Sequence, residues 1–289
     1  MLTLPLNDIR GVSRNSTMTL KIAKGWTYHD ILLTYKGMKL TDFGNVRVLL
    51  NGQPFQRFRS VLELVLFNQR DNVDSEHDKT PTPSNHGDSG SFTLTFDRLA
   101  MLTRLGEQAT AIGTGLPFDA KSNPFPVNTF TVEIDIKDND TVTDPSVSAS
   151  ANVSNPQPTG WVVKKRTFEY DVAGEGEFQI SDLPKFGRIN RIFINQDSDD
   201  AIATAKIERD TYKVFERTAV ANEKMHTRYA KKSFGNIFVI DPTERGYSDE
   251  GLSVLYEDGR DVQDFRIILN MAKAAHLGIT VEYLAQLGN

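Results

Sequence analysis

Residues 92–97 read FTLTFD, and residues 237–241 read IFVID. Each stretch is a short apolar run that closes on an aspartate, Asp97 in the first case and Asp241 in the second. In the first run phenylalanine and leucine alternate with threonine, and this period of two is typical of a strand with one buried face. The two stretches therefore predict equivalent strands in two halves of the chain.

Two further pairs of tripeptides extend this pattern. FQR at 55–57 is echoed by FER at 215–217, each after a strand-like run and ahead of a helix-like one, and TVE at 131–133 is echoed by TVE at 280–282. The three matches occur in the same order in both halves. Short matches that keep their order on similar elements indicate a tandem duplication of a β domain.

The boundary between the halves is predicted from composition. Residues 138–160 are rich in Ser, Thr, Asn and Pro, with almost no large apolar side chain, which is typical of a connection between domains. We therefore predict an N-terminal domain at 1–145, a linker at 146–160 and a C-terminal domain at 161–289. A second polar stretch, 71–89, contains two prolines and predicts a long functional or flexible loop.

Composition excludes several classes of protein. The chain has 289 residues, 39% hydrophobic and 25% charged, which describes a globular protein of a size that usually forms two domains. The net charge of −5, with basic residues scattered through both halves, argues against nucleic-acid binding as the main role. There is no cysteine, so disulfides, thiol nucleophiles and cysteine-ligated metals are excluded. No signal peptide or membrane-spanning run of about 20 apolar residues is predicted.

Strands with alternating apolar residues recur in both halves, as in sheets that pack face to face in a sandwich. The apolar positions are Met18, Leu20 and Ile22; Val46, Val48 and Leu50; Phe130, Val132, Ile134 and Ile136; and Phe265, Ile267, Leu269 and Met271. Ser60 and Glu63 form a capping-box pattern ahead of an apolar helix that must be covered by its own sheets or by a neighbouring subunit. A more polar helix is predicted at about 218–232, nearer the surface.

Candidate sites for chemistry are few. His77 and His86 share the polar loop with carboxylates that could bind a metal, but such residues are common in solvated loops. The sequence DSDD at 197–200 has the crowded carboxylates of a structural calcium site, with a solvated acidic turn as the alternative. Trp26 and Trp161 are interpreted as packing residues. We assign no catalytic, cofactor-binding or metal-binding residue, and we predict that the protein is not an enzyme.

One region resembles a known family. Residues 15–20 (NSTMTL) lead into 25–33 (GWTYHDILL), then Gly37, a strand that ends at Asn51-Gly52, and the serine-started helix. This order resembles the N-terminal domain of the double jelly-roll major capsid proteins of tailless, membrane-containing bacteriophages, the corticovirus type in particular. The close resemblance covers about residues 4–70, and the order of elements extends it to the whole chain. Tyr28 and His29 carry the resemblance as a structural signature.

The resemblance implies an all-β chain of two tandem eight-stranded jelly rolls, a double jelly roll, with short flanking helices. It implies a homotrimer whose six jelly rolls form a pseudo-hexagon that tiles an icosahedral shell over an inner lipid membrane. Neighbouring trimers, penton or spike proteins and minor membrane-associated capsid proteins would be the partners. The protein would lie in the virion capsid after assembly in the host cytoplasm.

Two alternatives remain open from the residues alone. One is a two-domain β-sandwich that binds carbohydrate or a receptor, which predicts a surface cluster of aromatic residues. The other is a cupin-like enzyme, which needs several histidines and a carboxylate on adjacent strands, whereas only His29 falls within a predicted strand.

Overall fold

The computed structural model describes residues 1–71, 89–99, 101–247, 249–254 and 262–288. The chain divides into two compact units, Met1–Lys165 with Gln286–Gly288, and Arg166–Ala285. We call them unit 1 and unit 2. The predicted loop at 71–89, with His77 and His86, lies almost entirely outside the described residues.

Unit 1 consists mainly of antiparallel strands. They are β1 (Leu2–Leu6), β2 (Ile9–Arg10), β3 (Ser16–Lys21), β4 (Thr27–Lys36), β5 (Phe43–Leu50), β6 (Gln53–Phe58), β7 (Ser89–Thr95), β8 (Ile112–Gly113), β9 (Phe130–Ile136) and β10 (Ser146–Ser154). Two α-helices accompany them, α1 (Val61–Arg70) and α2 (Arg104–Gln108), with a 3₁₀ turn at Leu40–Asp42. One sheet has the order β1-β10-β4-β7, with β8 paired to β4, and the other has the order β2-β3-β9-β5-β6.

Unit 2 repeats this design. Its strands are β11 (Trp161–Val172, which begins in unit 1), β12 (Gly176–Ile180), β13 (Arg188–Gln196), β14 (Ile202–Arg209), β15 (Tyr212–Thr218), β16 (Ile237–Ile240), β17 (Leu252–Ser253), β18 (Phe265–Met271) and β19 (Ala275–Gln286). The helix α3 (Ala219–Arg228) follows β15. The sheets have the orders β11-β19-β13-β16, with β17 paired to β13, and β12-β18-β14-β15.

The strand orders of the two units superimpose element by element. β1-β10-β4-β7 corresponds to β11-β19-β13-β16, and β3-β9-β5-β6 corresponds to β12-β18-β14-β15. Each unit therefore has four main strands in each of two sheets, connected as in a jelly roll. The predicted all-β double jelly roll with short helices is confirmed.

The equivalence of strands between the two units tests the three predicted tripeptide matches. FQR and FER lie on the equivalent strands β6 and β15, and Asp97 and Asp241 follow the equivalent strands β7 and β16. The third match is wrong, because TVE at 131–133 lies on β9 whereas TVE at 280–282 lies on β19, the counterpart of β10. The true counterpart of β9 is β18.

The predicted linker at 146–160 is also wrong over most of its length. Ser146–Ser154 form β10, which pairs with β1 on one side and β4 on the other. Its inward positions Ala149, Ala151 and Val153 are buried, while the serines and Asn152 between them are not. Small apolar residues bury little area each, so the strand gave a weak hydrophobic signal and was mistaken for a connection.

The core of each unit is formed by the predicted alternating positions. Val132, Ile134, Ile267 and Leu269 each expose 0% of their surface. In unit 1 the aromatic rings of Tyr35, Phe43 and Phe92 pack against one another with centroids 5.2 to 6.2 Å apart. The hairpin between β5 and β6 turns at Asn51 and Gly52, whose φ angles of 53° and 76° fit the two-residue turn that the Asn-Gly pair predicts.

The helix α1 begins where the sequence places it. The Ser60 Oγ accepts a hydrogen bond from the backbone N–H of Glu63 at 3.1 Å. The Glu63 carboxylate accepts from the backbone N–H of Arg59 at 2.7 Å. Val61, Leu64, Val65 and Phe67 are buried within the single chain, so unit 1 itself covers the helix. No neighbouring subunit is needed for that purpose.

The second helix is shorter than predicted and lies at the surface. α3 spans Ala219–Arg228, and only Asn222 and His226 on it are buried. Thr218 caps it by accepting a hydrogen bond from the backbone N–H of Ala221 at 3.2 Å. The short helix α2 was not predicted. Among the described helices, none is long and apolar enough to cross a membrane.

The corrected assignment of β10 gives the first prediction. Val153 is 0% exposed, so Val153→Ala should lower the free energy of unfolding by about 2 kcal/mol. Ser148→Ala on the outward face of β10 is the matched control and should change it by less than about 0.5 kcal/mol. Denaturant unfolding measures both values, and equal small effects would contradict the assignment of 146–154 to the core.

Candidate functional site

Each unit carries a β-bulge at the same place in its fold. In unit 1, Asp30 pairs with Asn152 and Tyr28 pairs with Val153, so His29 is the extra residue on β4. In unit 2, Arg191 pairs with Glu282 and Ile189 pairs with Tyr283, so Asn190 is the extra residue on β13. A β-bulge changes the direction in which a side chain points and locally interrupts the pairing of two strands. The equivalent bulges therefore place a polar side chain at corresponding points of the two jelly rolls.

His29 connects three segments of unit 1. Its Nε2 lies 2.9 Å from the Oγ of Ser154, at the end of β10. Its Nδ1 lies 3.1 Å from each carboxylate oxygen of Asp97, just after β7. The His29 side chain is 5% exposed and that of Asp97 is 12% exposed. Serine, histidine and aspartate are thus arranged in series, but in a nearly closed interior where they join strands together.

Acidic groups surround this imidazole. Burial raises the pKa of the Asp97 carboxyl, although its hydrogen bond to His29 opposes the rise. Burial also raises the pKa values of Asp30 and Glu107, both of which interact electrostatically with His29. Asp30 accepts a hydrogen bond from Asn152 at 2.9 Å. Sequence analysis placed His29 correctly on a strand, but its partners are 68 and 125 residues away along the chain, so no local motif revealed them.

At the equivalent bulge, unit 2 has a buried ion pair between Arg191 and Glu282. Arg191 donates through its Nε to Glu282 at 2.6 Å, and Asn190 donates to the same carboxylate at 3.1 Å. The side chain of Glu282 is 0% exposed. Removal of only one partner of a buried ion pair is strongly destabilising, because it leaves the other charge buried and unpaired.

His276 lies in a different, exposed cluster on unit 2. Its Nδ1 is 2.6 Å from Asp171 and its Nε2 is 2.9 Å from Glu169, across β11 and β19. The hydrogen bond to Asp171 is the main cause that raises the pKa of the His276 imidazole. With a carboxylate on each ring nitrogen, the doubly protonated imidazolium is the form that satisfies both contacts.

In the part of the chain that the structure describes, no group of three or more His, Asp or Glu side chains could hold a metal ion. In the acidic turn at 197–200, the Asp197 carboxylate accepts a hydrogen bond from the backbone N–H of His276 at 2.9 Å. Structural calcium at this turn therefore stays a prediction.

Several apolar side chains of unit 1 are exposed. They are Met1, Leu2, Leu102, Leu105, Phe118, Phe125 and Trp161. We call these residues the exposed apolar set. Trp161 is 46% exposed and Trp26 is half-buried, so neither fills the core, and packing at the rim of a unit stays a prediction for both.

A second exposed apolar surface lies on unit 2. The strand β15 is at the edge of its sheet, and Tyr212 and Val214 on it are 69% and 37% exposed. Val220, in the first turn of α3, is 62% exposed. We call these three residues, together with the side of β15 that pairs with no strand among the described residues, the open edge. An uncovered edge strand can pair with or dock onto another chain.

Comparison with family models covers both units. Residues 3–154 match the model described as viral coat protein P2 N-terminal domain, and residues 162–287 match the model described as viral coat protein P2 C-terminal domain. The chain belongs to the viral coat protein P2 family. The two matches correspond to the two jelly rolls, and the first ends at Ser154, the last residue of β10.

Individual members and structural neighbours agree with this viral coat protein P2 assignment. The major capsid protein P2 of Pseudoalteromonas phage PM2 is 27% identical over 288 residues, 97% of this chain and 96% of that protein. The crystal structure of the major capsid protein P2 from bacteriophage PM2 superimposes with a TM-score of 0.82 at 22% identity, covering 99% of this chain and 97% of that one. The STIV MCP superimposes with a TM-score of 0.68 at 9% identity, covering 99% and 97%. The fold is therefore shared at identities where little sequence similarity remains.

Removal of the His29 imidazole should destabilise unit 1. His29→Ala leaves the Asp97 carboxylate buried without this partner, so we expect a loss of about 2–3 kcal/mol in the free energy of unfolding. His276→Ala, at the exposed cluster, is the control and should cost much less, because exposed ion pairs contribute little to stability. Denaturant unfolding measures both variants. An unchanged unfolding midpoint for His29→Ala would show that the contacts of His29 do not stabilise unit 1.

In the exposed cluster on unit 2, the pKa of the His276 imidazole should lie above the ordinary histidine pKa of about 6.5. Because the folded-state pKa of His276 is raised, its stabilising effect is complete below the unfolded pKa and is lost as the pH rises through the folded one. NMR titration of the His276 ring protons should show a midpoint that falls in Asp171→Asn. A midpoint that does not move would show that Asp171 does not hold the imidazolium.

Proposed function

We propose that the protein is the major capsid protein of an icosahedral virion and that it assembles as a homotrimer. The observation that carries this proposal is the identical strand order of the two units, both of which match coat-protein models. Three copies of a chain with two similar units supply six similar bodies, so a threefold trimer can present nearly sixfold edges to its neighbours. Such pseudo-hexagonal trimers tile a shell with few distinct contacts.

The open edge supports lateral assembly. Tyr212, Val214 and Val220 give unit 2 an apolar surface with a free strand side, which a second copy of the chain can cover. Charged side chains on the same strand, Lys213 and Glu216, pair with each other. The proposed contacts thus combine apolar and charged side chains, as protein interfaces commonly do.

Other partners follow from the proposed position of the trimer in a virion. The shell would enclose an inner lipid membrane and meet penton or spike proteins and minor membrane-associated capsid proteins. The exposed apolar set of unit 1 supports contact with a partner, since its leucines and aromatic residues favour a partly apolar environment. The net charge of −5 supports a shell without direct nucleic-acid contact. We propose assembly in the host cytoplasm and a structural role without enzymatic activity.

Light scattering tests the oligomer. Three copies of a 32.4 kDa chain give about 97 kDa, and we expect this mass to persist on dilution. Val214→Asp places a charge on the open edge and should shift the protein toward the monomer by at least about tenfold in the dissociation constant. The same measurement with and without calcium tests whether ions join trimers into larger assemblies.

Ala173→Asp is the matched control for this variant. It introduces the same charge at an exposed position between β11 and β12 and should leave the mass unchanged. A wild-type chain that stays at 32.4 kDa at all concentrations would contradict the trimer. A trimer that survives Val214→Asp would instead exclude the open edge as its contact.

A further inference from the structure

In unit 1, the edge strand β6 is covered by the start of β11. The Gln56 side chain donates through its Nε2 to the backbone carbonyl of Val163 at 2.9 Å, and the Lys165 ammonium lies 4.7 Å from the centre of the Phe58 ring. Gln56 and Phe58 are 1% and 2% exposed. The covering residues, 161–165, belong to unit 1, whereas the strand that they begin is the outer strand of a sheet in unit 2.

The equivalent positions in unit 2 have no such cover. The strand β15 corresponds to β6, and the match of FER to FQR places Glu216 and Thr218 at the positions of Gln56 and Phe58. Glu216 and Thr218 are both exposed. Among the described strands, β15 pairs with β14 alone. The open edge is therefore a surface whose counterpart in unit 1 is buried.

The counterpart of β11 is β1. Each is the outer strand of its sheet, in the orders β1-β10-β4-β7 and β11-β19-β13-β16. The residues at the start of each strand are uncharged and mainly apolar, MLTL at 1–4 and WVV at 161–163. Met1 and Leu2 are 61% and 55% exposed, so the single chain does not bury them. The duplication thus leaves one edge and one strand start uncovered.

We propose that the start of β1 in one copy of the chain covers the open edge of the next copy, as the start of β11 covers β6. The inference rests on the proposed trimer and names the segment that makes its contact. Met1 and Leu2 lie against Val214 and Val220, which are 37% and 62% exposed in the single chain. Each copy gives one segment and receives one, so a ring of three copies closes.

The side chain of Glu216 fits this contact. A carboxylate only accepts hydrogen bonds, whereas the Gln56 amide donates to a backbone carbonyl. Among the described strands, β1 pairs with β10 alone, so backbone N–H groups on its other side are open to a partner. Glu216 accepts from one of these N–H groups, and this bond replaces the one that Gln56 makes in unit 1.

Disulfide trapping tests the contact, because the chain contains no cysteine. Leu2→Cys is combined with Glu216→Cys, and Thr3→Cys with Glu216→Cys tests the neighbouring register. A disulfide forms only where the two Cα atoms lie within about 7 Å of each other. On a non-reducing gel we expect one of these pairs to shift the chain from 32.4 kDa to covalent dimers and trimers, with about 97 kDa as the largest mass.

Two controls use the same chemistry. Leu2→Cys with Ala173→Cys places the second thiol at an exposed position outside β15, and Glu216→Cys alone provides no partner thiol on β1. Both should leave the chain at 32.4 kDa on the same gel.

Leu2→Asp tests the contact without a covalent bond. Leu2 is 55% exposed in the single chain, so the variant should fold, but it places a charge against the apolar open edge and near Glu216. By light scattering we expect the dissociation constant of the trimer to rise at least about tenfold. Ala173→Asp is again the matched control and should leave it unchanged.

The outcomes separate this inference from the trimer itself. Trimers that form no disulfide in either register and keep their dissociation constant in Leu2→Asp would overturn the inference and leave the proposed trimer standing. A disulfide that closes within one chain, with the thiols lost and the mass kept at 32.4 kDa, would overturn it as well. Wild-type chains that stay monomeric at all concentrations would overturn both.

Discussion

The burial of one face of each sheet is the constraint on which this structure depends. The strands β3, β5 and β9 alternate apolar residues that are buried in unit 1 with more exposed residues, and a shift of one residue would reverse the whole set. Positions such as Val132, Ile134, Ile267 and Leu269 are completely buried as a result. This requirement fixes the register of the strands, and the register in turn fixes where the bulges and polar pairs fall.

The two bulges show how a duplicated fold keeps its geometry while its chemistry diverges. His29 and Asn190 occupy the same extra position on equivalent strands, next to the pairs Asp30–Asn152 and Arg191–Glu282. Unit 1 combines acidic groups with a neutral amide and an imidazole, whereas unit 2 uses an ion pair. The β-bulge occurs in both units, so it is a feature of the shared backbone fold. The polar side chains beside the bulge differ between the units.

The sequence predicted the elements with large apolar residues and missed those without them. The strands around Phe92 and Phe265 and the serine-capped helix were recognised because bulky residues give a clear period. β10 was missed because alanine and serine dominate it, and the TVE match was then assigned to the wrong pair of strands. The partners of His29 could not be predicted, since they lie 68 and 125 residues away along the chain.

The edges of the two units differ in a way that bears on assembly. In unit 1 the strand β6 is covered: Gln56 is 1% exposed and donates to the carbonyl of Val163, and the Lys165 ammonium lies 4.7 Å from the Phe58 ring. The equivalent strand β15 in unit 2 is largely exposed. An edge strand left without cover invites pairing with other chains, and natural proteins rarely leave one apolar unless a partner covers it. Duplication thus gives one chain a closed edge and an open edge on the same fold, and in the proposed trimer this asymmetry would let copies join in one defined direction.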